Sequence, residues 1–361
     1  MKPNFTAGIV FLLCFVAIAR ESHAGTVTFG SGANTFSMEF VTIGSAGNAP
    51  DTTGEPNHVG SVGYEYDIGK FEVSRYMIER YNSEFGASNG LEITLSDAFQ
   101  VPDTPPVIKY GAFGFTTNPN LPATGVTWNE AARFVNWLNT STGHPAAYKF
   151  STNGVNDNLT VWSPEDLGFD ARNPFRNRLA RYALPSSNEW YKAAYYDPQT
   201  SNYWDFPTAS NYAPKMVFGG TEPGSAVYGQ SNPPTPNGSG FPAFPEFAGG
   251  LSPFGVMGLG GNVWEWEESS YGLLNLDGTN VRIFRGGDYT SNASALASSN
   301  AMTQLPSQGR DDLGFRVVSI SHSSAPVPEP SMMMIGTLVV LGGLVGKRRV
   351  GISKPRRIEL E

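Results

Sequence analysis

Three carboxylates stand close together in Trp264-Glu265-Trp266-Glu267-Glu268, directly after Gly260-Gly261-Asn262-Val263. Paired carboxylates about 5–10 Å apart can divide general acid and base work, as in glycoside hydrolysis. The same residues can instead serve structure. Paired glycines ahead of two tryptophans that flank a glutamate imply a tight backbone turn beside an aromatic cluster. The structural reading places Glu265 in support of that turn or of a cation, and leaves Glu267 and Glu268 in solvent. It is the preferred one, because spacing alone gives no sign of a raised pKa. Nucleophilic chemistry has less to rest on. His58, His144 and His322 are scattered, and no Gly-x-Ser-x-Gly elbow is present. Gly249-Gly250 and Gly260-Gly261 lack the helix-opening context of a phosphate cradle. Asp311-Asp312, ahead of Leu313-Gly314, reads as a turn.

The two ends read as addresses. Residues 1–24 have Lys2 at the start, an apolar stretch from Ile9 to Ala19 and Ser22-His23-Ala24 as a small-x-small site. This is the pattern of a secretory signal peptide, cut by signal peptidase between Ala24 and Gly25. The apolar run is too short to span a bilayer of about 30 Å. Cys14, the only cysteine, leaves with it, so the exported chain is expected to have neither thiol nor disulfide. Near the other end, Val327-Pro328-Glu329-Pro330 precedes an apolar segment, 332–346, and then Lys347-Arg348-Arg349. This order resembles the PEP-CTERM sorting tail of Gram-negative, exopolysaccharide-producing bacteria. The resemblance implies an exosortase that reads residues 326–361 and cuts near the Pro-Glu-Pro motif. It also implies transient anchoring by the apolar segment and a final place in the cell envelope, at the cell surface or in the extracellular matrix. An ordinary membrane anchor would orient its charges the same way. Val350 to Glu361 runs on past the basic cluster, where such tails usually end.

Residues 25–325 remain as the functional body. The whole chain carries −8; the leader's excess of one positive charge and the excess of four in residues 331–361 leave −13 for residues 25–330. Such a body repels phosphate backbones, which argues against nucleic acid as a partner. Charged residues make up 16% of the chain against 41 Gly and 27 Pro, so long loops around an aromatic core are expected. No fixed-period repeat points to a solenoid or propeller. Three helix starts have a mechanism. Thr127 with Glu130 and Ser186 with Glu189 form capping boxes, and Ser74 caps a third helix with Met77, Ile78 and Tyr81 inward. Val281-Arg282-Ile283-Phe284 and Phe315-Arg316-Val317-Val318 read as short strands, and Gly229 to Pro245 as a surface loop. Tyr203, Trp204, Phe241 and Tyr271 fall in loop-rich stretches where an aromatic face can stack on a sugar ring, although core packing is the commoner role.

Several blocks occur together in order: Met38 to Gly44, Ile68 to Ser74, Gly125 to Ala131, Leu184 to Ala194, Gly260 to Trp266, Arg285-Gly286-Gly287 and Gly314-Phe315-Arg316-Val317. Their order resembles the formylglycine-generating enzyme (sulfatase-modifying factor) family over nearly all of residues 36–320. The resemblance implies an α+β, irregular, loop-rich C-type-lectin-like fold with few helices and short strands. In that family the oxidases hold copper with two cysteine thiolates shortly after the Arg-Gly-Gly block, a ligand type suited to Cu(I). Those positions fall here near Ala293 and Ser298, and arginines common in the same stretch appear as Ala297 and Ala301. Cysteine-dependent oxidase activity and copper are therefore not expected. A related branch holds iron with His-x-x-x-His-x-Glu, which this chain lacks. The resemblance also implies a calcium site at Gly261, Val263 and Glu265, weakened because the expected Asp or Asn ligand is Gly258. These features lead to an exported, non-catalytic binding domain for exopolysaccharide or an envelope protein. The rival is an exported enzyme with a repurposed pocket that acts on glycans or modifies proteins.

Overall fold

A computed structural model describes residues 25–96, 119–151, 159–231, 240–270 and 281–320. The leader with Cys14 and Ala24, the Val327-Pro328-Glu329-Pro330 motif, the Lys347-Arg348-Arg349 cluster, His322 and Tyr271 lie outside them. Backbone contacts divide the chain into Met1–His322 and Ser323–Glu361, and every described residue belongs to the first unit. Among the described residues no helix is long and apolar enough to cross a membrane.

In chain order the strands begin with β1 (Gly25–Phe29), β2 (Phe36–Ile43) and β3 (Tyr66–Gly69), followed by helices α1 (Arg75–Tyr81) and α2 (Trp128–Ser141). Short strands β4 (Lys149–Phe150), β5 (Leu159–Thr160) and β6 (Tyr182–Ala183) lead to α3 (Ser187–Tyr195). Then come β7 (Tyr196–Asp197), β8 (Asn202–Tyr203), β9 (Lys215–Val217) and β10 (Ser225–Val227). The chain continues with β11 (Trp264–Ser270), β12 (Arg282–Arg285), β13 (Met302–Gln304), β14 (Leu313–Gly314) and β15 (Val318–Ser319). Two sheets carry the architecture, one ordered β1-β2-β3-β15-β6 and the other β13-β12-β11-β14. Few helices and many short strands joined by long loops make this an α+β fold.

The helices start where their caps dictate. The Thr127 and Ser186 side chains each accept from the backbone N–H three residues on, and Glu130 and Glu189 reach back to the cap N–H. Both boxes satisfy donors that a helix start otherwise leaves open. Ser74 caps α1 through Met77 N–H, and Ile78 and Tyr81 are fully buried, whereas Met77 is only half-buried. Helices α1 and α2 pack Ile78, Tyr81, Phe134 and Trp137 into the larger core, where Trp266, Phe284 and Phe315 meet them. Helix α3 packs Trp190, Ala193 and Ala194 against Ile43, Ile68 and Val318 in a second cluster.

Three sequence expectations change. The stretch expected as one strand at 315–318 is mostly a connection: Phe315-Arg316-Val317 joins β14, paired parallel with β11, to β15, paired antiparallel with β3 and β6 in the other sheet. Phe315 and Val317 point into the core between them. The loop expected at the surface turns inward at its end. Phe241 is 4% exposed, because Gln230 accepts from Gly240 and Phe241 N–H and Asn262 accepts from Ala243 N–H. Phe241 is therefore core and not a stacking face. Finally, Glu267 and Glu268 are fully buried, not solvated.

Candidate functional site

All seven residues of β11 are buried. Alternation sends Trp264 and Trp266 toward Phe284, with ring centroids 5.2 and 5.7 Å away. The glutamates survive burial because each meets an arginine. Glu265 takes Arg316 on both oxygens, with Nε to Oε2 at 2.6 Å, and Trp190 Nε1 adds a bond to Oε2 at 2.8 Å. Glu267 accepts from Arg285 Nε at 2.6 Å and from the Ser187 hydroxyl. Glu268 accepts from Arg176 Nε, Tyr148 Oη and Asn173 Nδ2. Arg176 also forks onto Glu189. The register between β11 and β12 shifts between Trp266 and Ser270, so strict alternation stops before Glu268. Burial pushes the Glu267 carboxyl above its ordinary range, although Arg285 and Ser187 favour the charged form. For Glu189 burial acts upward too, but the Arg176 charge and its hydrogen bonds prevail and hold the carboxyl below its usual range. A buried carboxylate without a partner carries a desolvation penalty of several kcal/mol. These pairs are the reason the strand can exist, and they leave no acid–base pair facing an opening.

The turn before β11 is fixed by backbone crowding. Gly261 has φ +82°, and a Cβ there would lie 2.1 Å from the Val227 carbonyl. Asn262 follows in the left-handed region at φ +64°. Its amide stitches the turn to the core, accepting from Ala243 N–H and donating to Glu72 Oε1 at 2.9 Å. Glu72 explains Gly258. A Cβ on Gly258 would lie 2.5 Å from Glu72 Oε1, so the Glu72 carboxyl fills the space that an Asp or Asn side chain would need. Burial pushes the Glu72 carboxyl up to about 8, Glu265 pushes the same way and Arg316 opposes both. Calcium fits the arrangement poorly. The only carboxylate of the expected trio, Glu265, already holds a guanidinium, and a cation there would face the Arg316 charge. Gly261 and Val263 offer main-chain oxygens only.

The expected thiol positions lie elsewhere. Ala293 opens a short helical turn, Ala293–Leu296, and Ser298 is buried. Ser298 N–H donates to the Asp205 carbonyl at 2.8 Å, and its own carbonyl accepts from Glu55 N–H. The Tyr191 hydroxyl sits between them, donating to Asp51 Oδ2 at 2.7 Å while the Ser298 side chain bonds to it. Neither Ala293 nor Ser298 can replace a thiolate ligand, so copper does not fit. Beside this chain of bonds opens a depression of about 600 Å³. Asp51 and Thr52 form one wall; Thr200, Asn202, Trp204 and Asn211 form the other. Among the described residues no Lys, Arg or His lines it. Among the described residues no group of three or more His, Cys, Asp or Glu is placed to hold a metal.

A family model described as the sulfatase-modifying factor enzyme 1-like domain (FGE-sulfatase) matches residues 19–320. The chain belongs to this family. A mouse protein named inactive C-alpha-formylglycine-generating enzyme 2 is 23% identical over 211 residues, which is 57% of this chain and 51% of that one. The bovine protein of the same name is 35% identical over 71 residues, 18% and 23% of the two chains. The chain thus spans at most about half the length of these relatives. Among solved structures, Treponema denticola variable protein 1 aligns with TM-score 0.49 and 16% identity, covering 81% of this chain and 98% of that one. PvdO from Pseudomonas aeruginosa aligns with TM-score 0.47 and 19% identity, covering 83% and 99%.

The residues singled out in the sequence fall into separate places. Glu265, Glu267 and Glu268 share one buried strand. Gly261 and Val263 sit in the turn before it, Ala293 opens a separate short helical turn, and Ser298 is linked through the Tyr191 hydroxyl to Asp51 in the depression lining. Trp204 lines the depression. Tyr203 lines it too, but its hydroxyl is tied to the Ala49 and Gly60 carbonyls at 2.9 Å. Sequence reasoning missed Asp51, Asn202 and Asn211, which lie in polar turns without a motif. It also missed the arginine partners. Two of these, Arg285 and Arg316, stand inside noted motifs, and matching each buried-strand glutamate to a motif arginine would have found them.

Proposed function

We propose that this chain is a non-catalytic member of its family that acts as an exported binding domain, sorted through its C-terminal tail to the cell surface or matrix. There it holds exopolysaccharide or an envelope protein. The observation that carries the reading is the pairing of two facts around α3. The thiol positions are Ala293 and Ser298, with Ser298 bonded into the core, yet an open polar depression persists nearby, its Asp51 linked to Ser298 through the Tyr191 hydroxyl. A site without a nucleophile–base pair but with an accessible concave surface suits recognition better than turnover. The word inactive in the names of the mouse and bovine relatives agrees with this reading. The leader and the tail supply the export and sorting parts of the proposal.

The test has two arms. Purified protein is incubated with its host's exopolysaccharide and with envelope extract, and saturable binding is expected in one of them. In parallel, copper-loaded protein is offered a cysteine-containing sulfatase peptide, and no aldehyde is expected by mass spectrometry. Aldehyde formation, or absence of any saturable partner, would overturn the proposal.

A further inference from the structure

The depression between the 49–52 segment and the β7–β8 hairpin has a composition that selects its ligand. Among the described lining residues Asp51 is the one charged group, and both its oxygens already accept hydrogen bonds, Oδ1 from Thr53 and Oδ2 from Tyr191. With no cationic side chain in the lining, phosphate, sulfate and carboxylate ligands find no counter-charge. With Asp51 engaged, a cationic ligand gains little. What remains are neutral groups. Asn202 Nδ2 donates to the Thr200 carbonyl at 3.1 Å, which leaves its Oδ1 as a free acceptor. Asn211 Oδ1 accepts from Asp205 N–H at 3.2 Å, which leaves its Nδ2 as a free donor. The Thr52, Thr200 and Ser201 hydroxyls are exposed beside them. A free donor, a free acceptor and several hydroxyls in one lining match a ligand whose every group both donates and accepts.

Trp204 supplies the apolar surface. Every other described tryptophan packs its ring against an aromatic or cationic partner, as Trp128 does with Tyr148 and Trp190 with Tyr195. Trp204 has no such partner among the described residues, and its indole N–H is buried without an acceptor. Its backbone is nevertheless held. Trp204 N–H donates to the Tyr195 carbonyl at 2.9 Å, and the preceding Tyr203 ring is wedged between Tyr191 and Tyr196 at 5.6 and 5.1 Å. A flat aromatic face on a fixed backbone, next to amides that each keep one group open, is a pre-organised platform.

We infer that this depression binds one neutral sugar residue, with Trp204 as the stacking surface and Asn202 and Asn211 reading its hydroxyls. The inference rests on the binding-domain reading and gives it a site and a ligand class.

The purified full-length protein is titrated with glucose, galactose, mannose and N-acetylglucosamine, followed by saturation-transfer NMR and tryptophan fluorescence. Glucuronate and glucosamine serve as charged comparators. At least one neutral sugar is expected to bind saturably and better than both charged ones. Trp204→Ala is expected to weaken it by about tenfold or more, and Asn211→Ala to weaken it without changing the circular dichroism. Phe218→Ala, an exposed aromatic just after β9 and outside the lining, is the control and leaves binding unchanged. If Trp204→Ala fails to fold, Asn211→Ala carries the test alone, since its side chain is at the surface. No binding of a neutral sugar, preference for a charged one, or binding unchanged in Asn211→Ala and folded Trp204→Ala would overturn the inference. The whole exopolysaccharide separates the two proposals. Polymer binding that survives both variants refutes this site and spares the binding-domain reading. Simple-sugar binding without any polymer or envelope partner does the reverse.

Discussion

Replacing Glu72 by Gln should change how stability depends on pH, and by an amount the structure sets. The Glu72 carboxyl is buried; Asn262 donates to Oε1, and Oε2 has no partner among the described residues. Burial, helped by Glu265 and opposed by Arg316, raises it from 4.5 to about 8. The unfolded chain releases this proton near 4.5, whereas the folded protein keeps it until about 8. Folding therefore takes up a proton in that window. The stability contributed by the neutral carboxyl is complete below the lower value, falls as pH rises, and levels off above the upper one. Each pH unit inside the window is worth about 1.4 kcal/mol, which sets a ceiling of about 5 kcal/mol across it. Gln keeps the shape and the acceptor for Asn262 but does not titrate. Urea unfolding of both proteins, read by tryptophan fluorescence from pH 5 to pH 9, isolates the effect, because the other buried acids are common to both. The variant's stability relative to the native protein should climb steadily up to about pH 8 and then stay flat. Parallel curves would refute the reasoning, and so would a native protein that gains on the variant as pH rises.

Four further outcomes are expected. Arg316→Ala strands the Glu265 carboxylate in the core and should cost about 3–5 kcal/mol in urea unfolding. Arg172→Ala, whose pair with Asp170 is at the surface, should stay within about 0.5 kcal/mol. Gly47 and Gly258 share nearly the same backbone, φ +79° and +77°, but only Gly258 faces the Glu72 carboxyl, and Gly47 has nothing within 4 Å. Gly47→Ala should therefore cost about 1 kcal/mol from the backbone alone, with Gly258→Ala worse by about 1–2 kcal/mol more; equal losses would discount the clash. Adding millimolar calcium or a chelator should move the melting temperature by less than about 1 °C, since a ligand that does not bind the folded state cannot shift it. A clear calcium-dependent rise in differential scanning fluorimetry would restore the Glu265 turn as a cation site.

What depends on near neighbours could be read from the order of residues alone. The boxes at Thr127–Glu130 and Ser186–Glu189 and the Ser74 cap were legible because each is a contact between residues three apart, set by the geometry of one helical turn. The turn at Gly261-Asn262 was legible for a similar reason, and the order of the motif blocks pointed to the family. Tertiary structure decided the rest. Glu267 and Glu268 look like surface residues in sequence, and they are buried because arginines 18 and 92 residues away reach them; Glu265 is paired across 51 residues. Gly258 looks like a lost ligand until Glu72, from a distant segment, is seen to occupy its space. Trp204 and Phe241 had equal standing as loop aromatics. Only the packed chain separates them, because burial and hydrogen-bond partners are set by which remote segments fold against each residue.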